Sequence, residues 1–206
     1  MKFSVIVSSV AAVLLYVTQA SAIEEPVVIE KTVYKEFEVR SYGPILVAQT
    51  EVKEEFADAG NKAFRVLADF IFGNNSAKSE ISMTSPVIQK PAQSEKIAMT
   101  APVIQSGGEN GYTVQFTMPA KYTMQTLPVP NDPRVVIKEI PARRLAVYTY
   151  SGSWSEKRFN EKLALFKAAL ARENLKEKGE PSFARFNSPW QLWFLRRNEI
   201  WLELAQ

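Results

Sequence analysis

Tyr112-Thr113-Val114-Gln115-Phe116-Thr117-Met118 sets apolar and polar side chains on alternate positions for seven residues. A period of two is the mark of an antiparallel strand with one buried and one wet face. Upstream, 34–39 and 45–52 are rich in β-branched and aromatic residues and flank Tyr42-Gly43-Pro44, which predicts two strands about a turn. From 54 to 72 the period changes. Phe56, Ala63, Leu67, Phe70 and Ile71 recur at helical spacing, and Gly73-Asn74-Asn75 stops the helix.

The same order returns about 100 residues later. Stretches 135–140 and 145–150 predict a strand pair about Pro141, and Ser153-x-x-Glu156 predicts a capping box opening a helix to about 175. Phe159, Leu163, Phe166 and Leu170 line one face of it, while Lys157, Lys162, Lys167 and Arg172 take the rest. Gly179 and Pro181 are expected to end that segment, and 183–186 and 198–204 to close the half as strands. Locally paired strands with one helix per half predict an α+β fold, an antiparallel sheet with both helices packed on it. Residues 23–206 are thus expected to form a single domain of two similar halves, about 27–127 and 134–204, joined by the proline-rich 128–133.

Residues 1–22 have the pattern of a secretory signal peptide. Lys2 supplies the positive end, Phe3 to Val17 the apolar run, and Ala20-Ser21-Ala22 the A-x-A cleavage site. The run is short for a membrane span and Glu24-Glu25-Pro26 follows at once, so cleavage is expected rather than anchoring. Residues 23–206 would then be a periplasmic or secreted protein with no membrane association, of a size that buries about 70% of its unfolded surface. A monomer is expected.

Composition excludes several classes. There is no histidine and no cysteine, which removes Cys/His zinc sites, Cys–His and Ser–His pairs and disulfides together. No Asp/Glu spacing suggests a carboxylate metal cluster. The formal charge of +3 comes from 25 basic and 22 acidic residues that are interleaved, as in Lys53-Glu54-Glu55 and Glu156-Lys157-Arg158. Solvated faces account for them, and no patch suited to a nucleic-acid backbone is expected.

Two stretches stand out. Ile81-Ser-Met83-Thr84-Ser-Pro86-Val87-Ile-Gln89 returns as Ile97-Ala-Met99-Thr100-Ala-Pro102-Val103-Ile-Gln105. It has the look of a hairpin with related arms. Its prolines cannot donate to a ladder, so edge or bulged strands are expected; Met83 and Met99 are expected to fill core. The block 186–201 holds Trp190, Trp193, Phe194 and Trp201 beside Arg196 and Arg197, after a break at Pro189. Aromatic faces beside fixed cations suit a flat apolar ligand bearing carboxylates. Trp190, Trp193 and Phe194 either form a stacking wall or plug one end of the sheet, whereas Trp201 is expected in the core. Adjacent arginines on a strand point to opposite faces, so only one of Arg196 and Arg197 meets a given pocket.

These motifs, with Met118-Pro-Ala-Lys-Tyr122, Leu127-Pro-x-Pro-Asn131-Asp-Pro133 and Arg196-Arg-Asn-Glu199, resemble the SOUL/haem-binding protein family over roughly 27–204. The resemblance implies a duplicated, distorted barrel-like sheet of the effector-binding-domain type. It further implies a cleft for non-covalent haem or a related porphyrin between the first helix and the C-terminal aromatic loop. Phe64 and Ala68 match apolar positions of that cleft. Asn61, Gln191 and Leu192 stand where the family's residues would meet propionates, leaving Lys62, Arg65 or Arg196 as substitutes. Without histidine or cysteine, iron is left to Met, Tyr or macrocycle contacts alone. The expected cofactor contacts are therefore Asn61, Phe64, Arg65, Ala68, Trp190, Trp193, Phe194 and Arg196, with no catalytic residue and the axial ligand open. The leading expectation is a tetrapyrrole carrier or buffer that is not an enzyme. Its rival is an effector-binding domain or hydrolase using Glu139, Glu199, Tyr148 or Tyr150, because a carboxyl in an apolar cleft can act as a general acid. A protein-interaction module carries no distinct mark.

Overall fold

The computed structural model describes residues 23–78, 93–108, 111–188 and 190–205. The predicted leader and the first Met-Thr-x-Pro-Val segment, 81–89, lie outside them. The elements in order are β1 (Val28–Val33), β2 (Glu38–Tyr42), β3 (Ile45–Val52), α1 (Phe56–Ile71), β4 (Asn75–Ser76), β5 (Val103–Gly108) and β6 (Gly111–Thr117). There follow β7 (Val129–Pro130), β8 (Val136–Ile140), β9 (Arg143–Tyr150), α2 (Glu156–Arg172), β10 (Glu177–Arg185), a one-turn 3-10 helix (Trp193–Leu195) and β11 (Asn198–Leu204). Nine strands form one sheet in the order β1-β2-β9-β11-β10-β5-β6-β3-β8, with every pairing antiparallel; β4 and β7 pair separately. The two ends of the sheet, β1 and β8, do not pair with each other, so the barrel is open.

Leaving out β1, the order is symmetric about the β10–β5 seam when β2-β3-α1-β5-β6 is set against β8-β9-α2-β10-β11. One expectation fails here. β2 and β3 do not pair with each other, nor do β8 and β9; instead β2 pairs with β9 and β3 with β8. The connectors explain this. Two-residue hairpin turns of the favoured types need a positive φ at the first turn residue. Pro141 cannot supply one, and Gly43 is not in the left-handed region.

Other boundaries shift for local reasons. The stretch predicted as a strand over 34–39 is broken by a turn, in which Tyr34 N–H donates to Phe37 O and the two rings stack at 4.6 Å. α2 is capped by Ser155, whose Oγ accepts from Arg158 N–H, so Ser153 and Glu156 form no capping box. The acid at the first helical position still suits the dipole. Gly179 and Pro181 do not end a segment. They lie inside β10, where the register against β11 slips between Lys178 and Ser182 and Gly179 takes φ +76°. Pro102 does not mark an edge strand either. It directly precedes β5, which is central, so the first residue of the ladder is Val103 and no donor is lost.

Strand alternation sorts the core. On the helix-covered face, α2 packs over Phe37, Ala146, Phe183, Ile200 and Leu202, while α1 packs over Ala48, Val114, Phe116 and Met118. The opposite face carries Tyr42, Ile104, Leu145, Val147, Ala184 and Trp201, placing Trp201 in the core as expected. Met99 is exposed rather than a core filler. Phe56, at the start of α1, crosses the seam to lie 5.3 Å from Phe159 and 5.6 Å from Phe183, ring to ring, tying both helices to β10.

Candidate functional site

The aromatic loop leaves the sheet at Phe186 and returns at Arg197, closed at its base by Phe186 N–H to Arg197 O and by Arg197 N–H to the Asn187 side chain. Inside it, Leu195 N–H donates to Leu192 O, forming the 3-10 turn. This geometry turns the apolar side chains outward. Trp190 is 92% exposed, Trp193 56% and Phe194 52%, with Leu192 and Leu195 also in solvent. They are therefore not a plug. Five exposed apolar side chains on one short loop are unusual on a soluble surface and mark a contact site.

Beneath the loop lies a cation that the sequence reading missed. Arg185 ends β10 on the helix-covered face and is 7% exposed. Its Nη2 donates to Gln105 Oε1 at 2.7 Å, and Gln105 Nε2 donates to Phe56 O at 2.9 Å, so a fixed relay reaches the start of α1. The guanidinium lies 5.0 Å from the ring centres of both Trp154 and Phe183. Among the described residues no carboxylate pairs with it, and its buried Nε has no hydrogen-bond partner. Burial lowers the Arg185 pKa to about 10, opposed by the Tyr150 hydroxyl and reinforced by the Arg196 charge. Tyr150, beside it, also has a buried hydroxyl without a partner. Burial raises that phenol well above its ordinary pKa against the pull of Arg158 and Arg185.

Arg196 belongs to the same group. Its guanidinium lies 4.3 Å over the Trp154 ring and its Nε donates to Gln191 O, so the Trp154 ring meets two arginines. Arg197 points the other way, over Phe186 at 3.5 Å and onto Glu25 and Glu199, as adjacent residues must.

On α1, Gly60 is the contact. A Cβ there would run into the Arg185 guanidinium, within 2.7 Å of its Cζ, so only glycine lets that charge lie against the helix. Phe64, one turn on, is half-buried and packs on Phe116 at 5.3 Å. Ala68 is buried one turn further, while Asn61 and Arg65 are exposed beside them. Of the predicted residues only Arg196 touches this cluster directly, and the link from the loop to α1 runs through Trp154, Arg185 and Gly60. A cation in the inward phase of Phe183-Ala184-Arg185 was the available signal in the sequence.

The rival acid/base set does not assemble. Glu199 is fully buried, but β11–β9 register puts it on the face of Thr149, opposite Tyr148 and Tyr150. Its carboxylate accepts from Arg40 and from Trp201 Nε1, with Arg197 Nε 3.3 Å away. Glu139 is exposed on the edge strand β8. Among the described residues no group of three or more acidic side chains is placed to hold a metal ion, and no helix is long and apolar enough to cross a membrane.

The profile of the SOUL heme-binding protein family matches residues 25–203. No curated protein matches the chain. Among solved structures, the C-terminal domain of EcmrR is similar with a TM-score of 0.56 at 11% identity, covering 83% of this chain and 98% of that one. A hydrolase from Listeria innocua is similar with a TM-score of 0.51 at 11% identity, covering 84% and 94%. At these identities the likeness establishes the effector-binding-like fold and nothing of activity.

Proposed function

The chain belongs to the SOUL heme-binding protein family, and on that premise we propose that it binds haem or a related tetrapyrrole between the aromatic loop and α1. One observation carries this reading: a buried Arg185, without a carboxylate partner among the described residues, beneath a loop that presents Trp190, Trp193 and Phe194 to solvent. The rings offer stacking area, and Arg185 and Arg196 offer charge-assisted partners for propionates. Burying a few hundred Å² of macrocycle at about 25 cal/mol/Å² gives roughly 10 kcal/mol before association costs, enough for about micromolar affinity with no axial bond.

The donor set fits the macrocycle better than the metal. With no histidine or cysteine in the chain, Tyr150 is the phenol available at the cluster among the described residues, and its raised pKa keeps it neutral, a poor iron ligand. A bound haem would bring redox-active iron; the residues here hold, orient and shield the ring. With Glu199 and the Tyr148–Tyr150 pair on opposite faces, a carrier or buffer without catalysis is the better reading. We place it outside the cytoplasm, on the leader pattern of 1–22.

Titration with haemin and with metal-free protoporphyrin tests the assignment. Similar affinities are expected, with strong quenching of tryptophan emission. Binding of haemin alone would overturn the reading that the macrocycle rather than the iron carries affinity, and neither ligand binding at about micromolar concentrations would remove the assignment. Intact mass of exported protein should show a chain beginning at Ile23; a membrane-retained full chain would overturn the export proposal.

A further inference from the structure

Across Asn187-Ser-Pro-Trp-Gln-Leu-Trp-Phe-Leu195 the aromatic loop carries no charged residue. Five of these nine side chains, Trp190, Leu192, Trp193, Phe194 and Leu195, are large, apolar and more than half exposed. An exposed apolar patch with no charge of its own is a contact surface for an apolar partner.

Two observations choose that partner. The first is the backbone, which is largely bonded within the loop. Trp190 N–H donates to Ser188 Oγ, Gln191 N–H to Ser188 O, Leu195 N–H to Leu192 O and Arg196 N–H to Trp193 O, while Pro189 has no N–H to satisfy. Internal pairing of this kind is what apolar surroundings demand of a segment that enters them. The second is size. The five side chains expose on the order of 500 Å², an aromatic one carrying about 150–250 Å² in all. A stable protein contact takes about 800 Å² from each partner, so this loop alone holds neither a second copy nor another protein. A bilayer needs no matched surface, and indole rings favour its interface because they join an apolar body to an N–H donor.

We infer that the loop docks the protein on a lipid surface, its apolar side chains entering the bilayer interface to a depth of about 5–10 Å. The sequence expectation of no membrane association weighed spanning segments, and among the described residues no helix is fit to span. A surface loop is a different attachment. With no charge between 187 and 195, the contact rests on apolar area, so zwitterionic lipid suffices and salt has little effect. The inference concerns the ligand-free loop and does not rest on the porphyrin reading.

Flotation of residues 23–206, which contain every described element, with phosphatidylcholine vesicles tests this in the absence of porphyrin. The protein should float with the vesicles, its tryptophan emission shifting to the blue and quenched by lipid brominated in the acyl chains. Trp190→Ser combined with Trp193→Ser should lower partitioning by about tenfold or more and remove the blue shift, because Trp201 is buried and Trp154 partly so. The unfolding midpoint should not move, since both replaced side chains are mainly solvated. No flotation with phosphatidylcholine, or equal flotation of the double variant, would overturn the inference. So would binding confined to phosphatidylglycerol vesicles and reversed by salt, which would assign the contact to the lysines of α2. A parent chain that sediments as a dimer without lipid, beside a monomeric double variant, would overturn it too by making a second copy the occupant.

Discussion

Replacing Arg185 by methionine separates a ligand-facing charge from a structural one. A guanidinium pKa lowered from 12.5 to about 10 means that the folded state disfavours this proton by roughly 3 kcal/mol, at about 1.4 kcal/mol per pH unit. The sign follows directly. Between those two pH values the unfolded chain holds the proton that the folded chain gives up, so stability rises with pH there and the penalty is present in full at neutral pH. Methionine removes that penalty. It also leaves Gln105 Oε1 without its donor, at about 1–3 kcal/mol, and forfeits ring contacts with Trp154 and Phe183 worth about 0.5–1 kcal/mol each. The terms nearly cancel, so Arg185→Met should unfold within about 1 kcal/mol of the parent in urea. Removing one member of a paired buried charge would instead cost about 3–5 kcal/mol. Binding should respond differently. Affinity for protoporphyrin, with free propionates, should fall by about 1.5–3 kcal/mol, while affinity for its dimethyl ester should not change. A stability loss above about 3 kcal/mol, or equal weakening of acid and ester, would refute the role.

Gly60→Ala should push the guanidinium off α1 while gaining helix propensity of up to about 1 kcal/mol; near-parental stability with weakened binding of the acid porphyrin is expected by the same two assays. Changing Trp190 and Trp193 together to leucine should leave stability unchanged, since both are mainly solvated, but lower porphyrin affinity by about 1–3 kcal/mol; unchanged binding in fluorescence titration would exclude the loop. Burial raises Glu38, but its bonds to Arg40 outweigh this and hold the carboxyl below 4.5. Its contribution to stability is therefore present above the unfolded pKa and lost as pH falls through the folded value. Glu38→Gln should flatten the acid limb of a stability–pH curve below about pH 4.5, and an unaltered limb would contradict the assignment.

Element type was legible because it depends on local periodicity. The alternation of 112–118 and the helical spacing of 56–71 both correspond to observed elements. Pairing was not legible, because nothing in 38–52 states that Gly43-Pro44 sends the next strand to a different neighbour. Strand membership was enough to place Trp201 in the core, but whether Trp190, Trp193 and Phe194 wall a cleft or plug the sheet depends on how the loop turns, which sequence does not state. Of the candidate cluster, Arg196 was named from the sequence, but its centre, Arg185, was passed over although it interrupts an apolar phase.

Because β2 completes the far side of the sheet and β8 the near side, each half of the chain holds the other's opening strand. Scission within 128–133 would therefore not release two independent pieces; each would lack an edge that only the other can supply. Any half-length polypeptide built on this plan is whole only as an exchanged pair. Here a single linker keeps that pair permanently together, so unfolding of either half exposes an edge of the other and the two must melt as one.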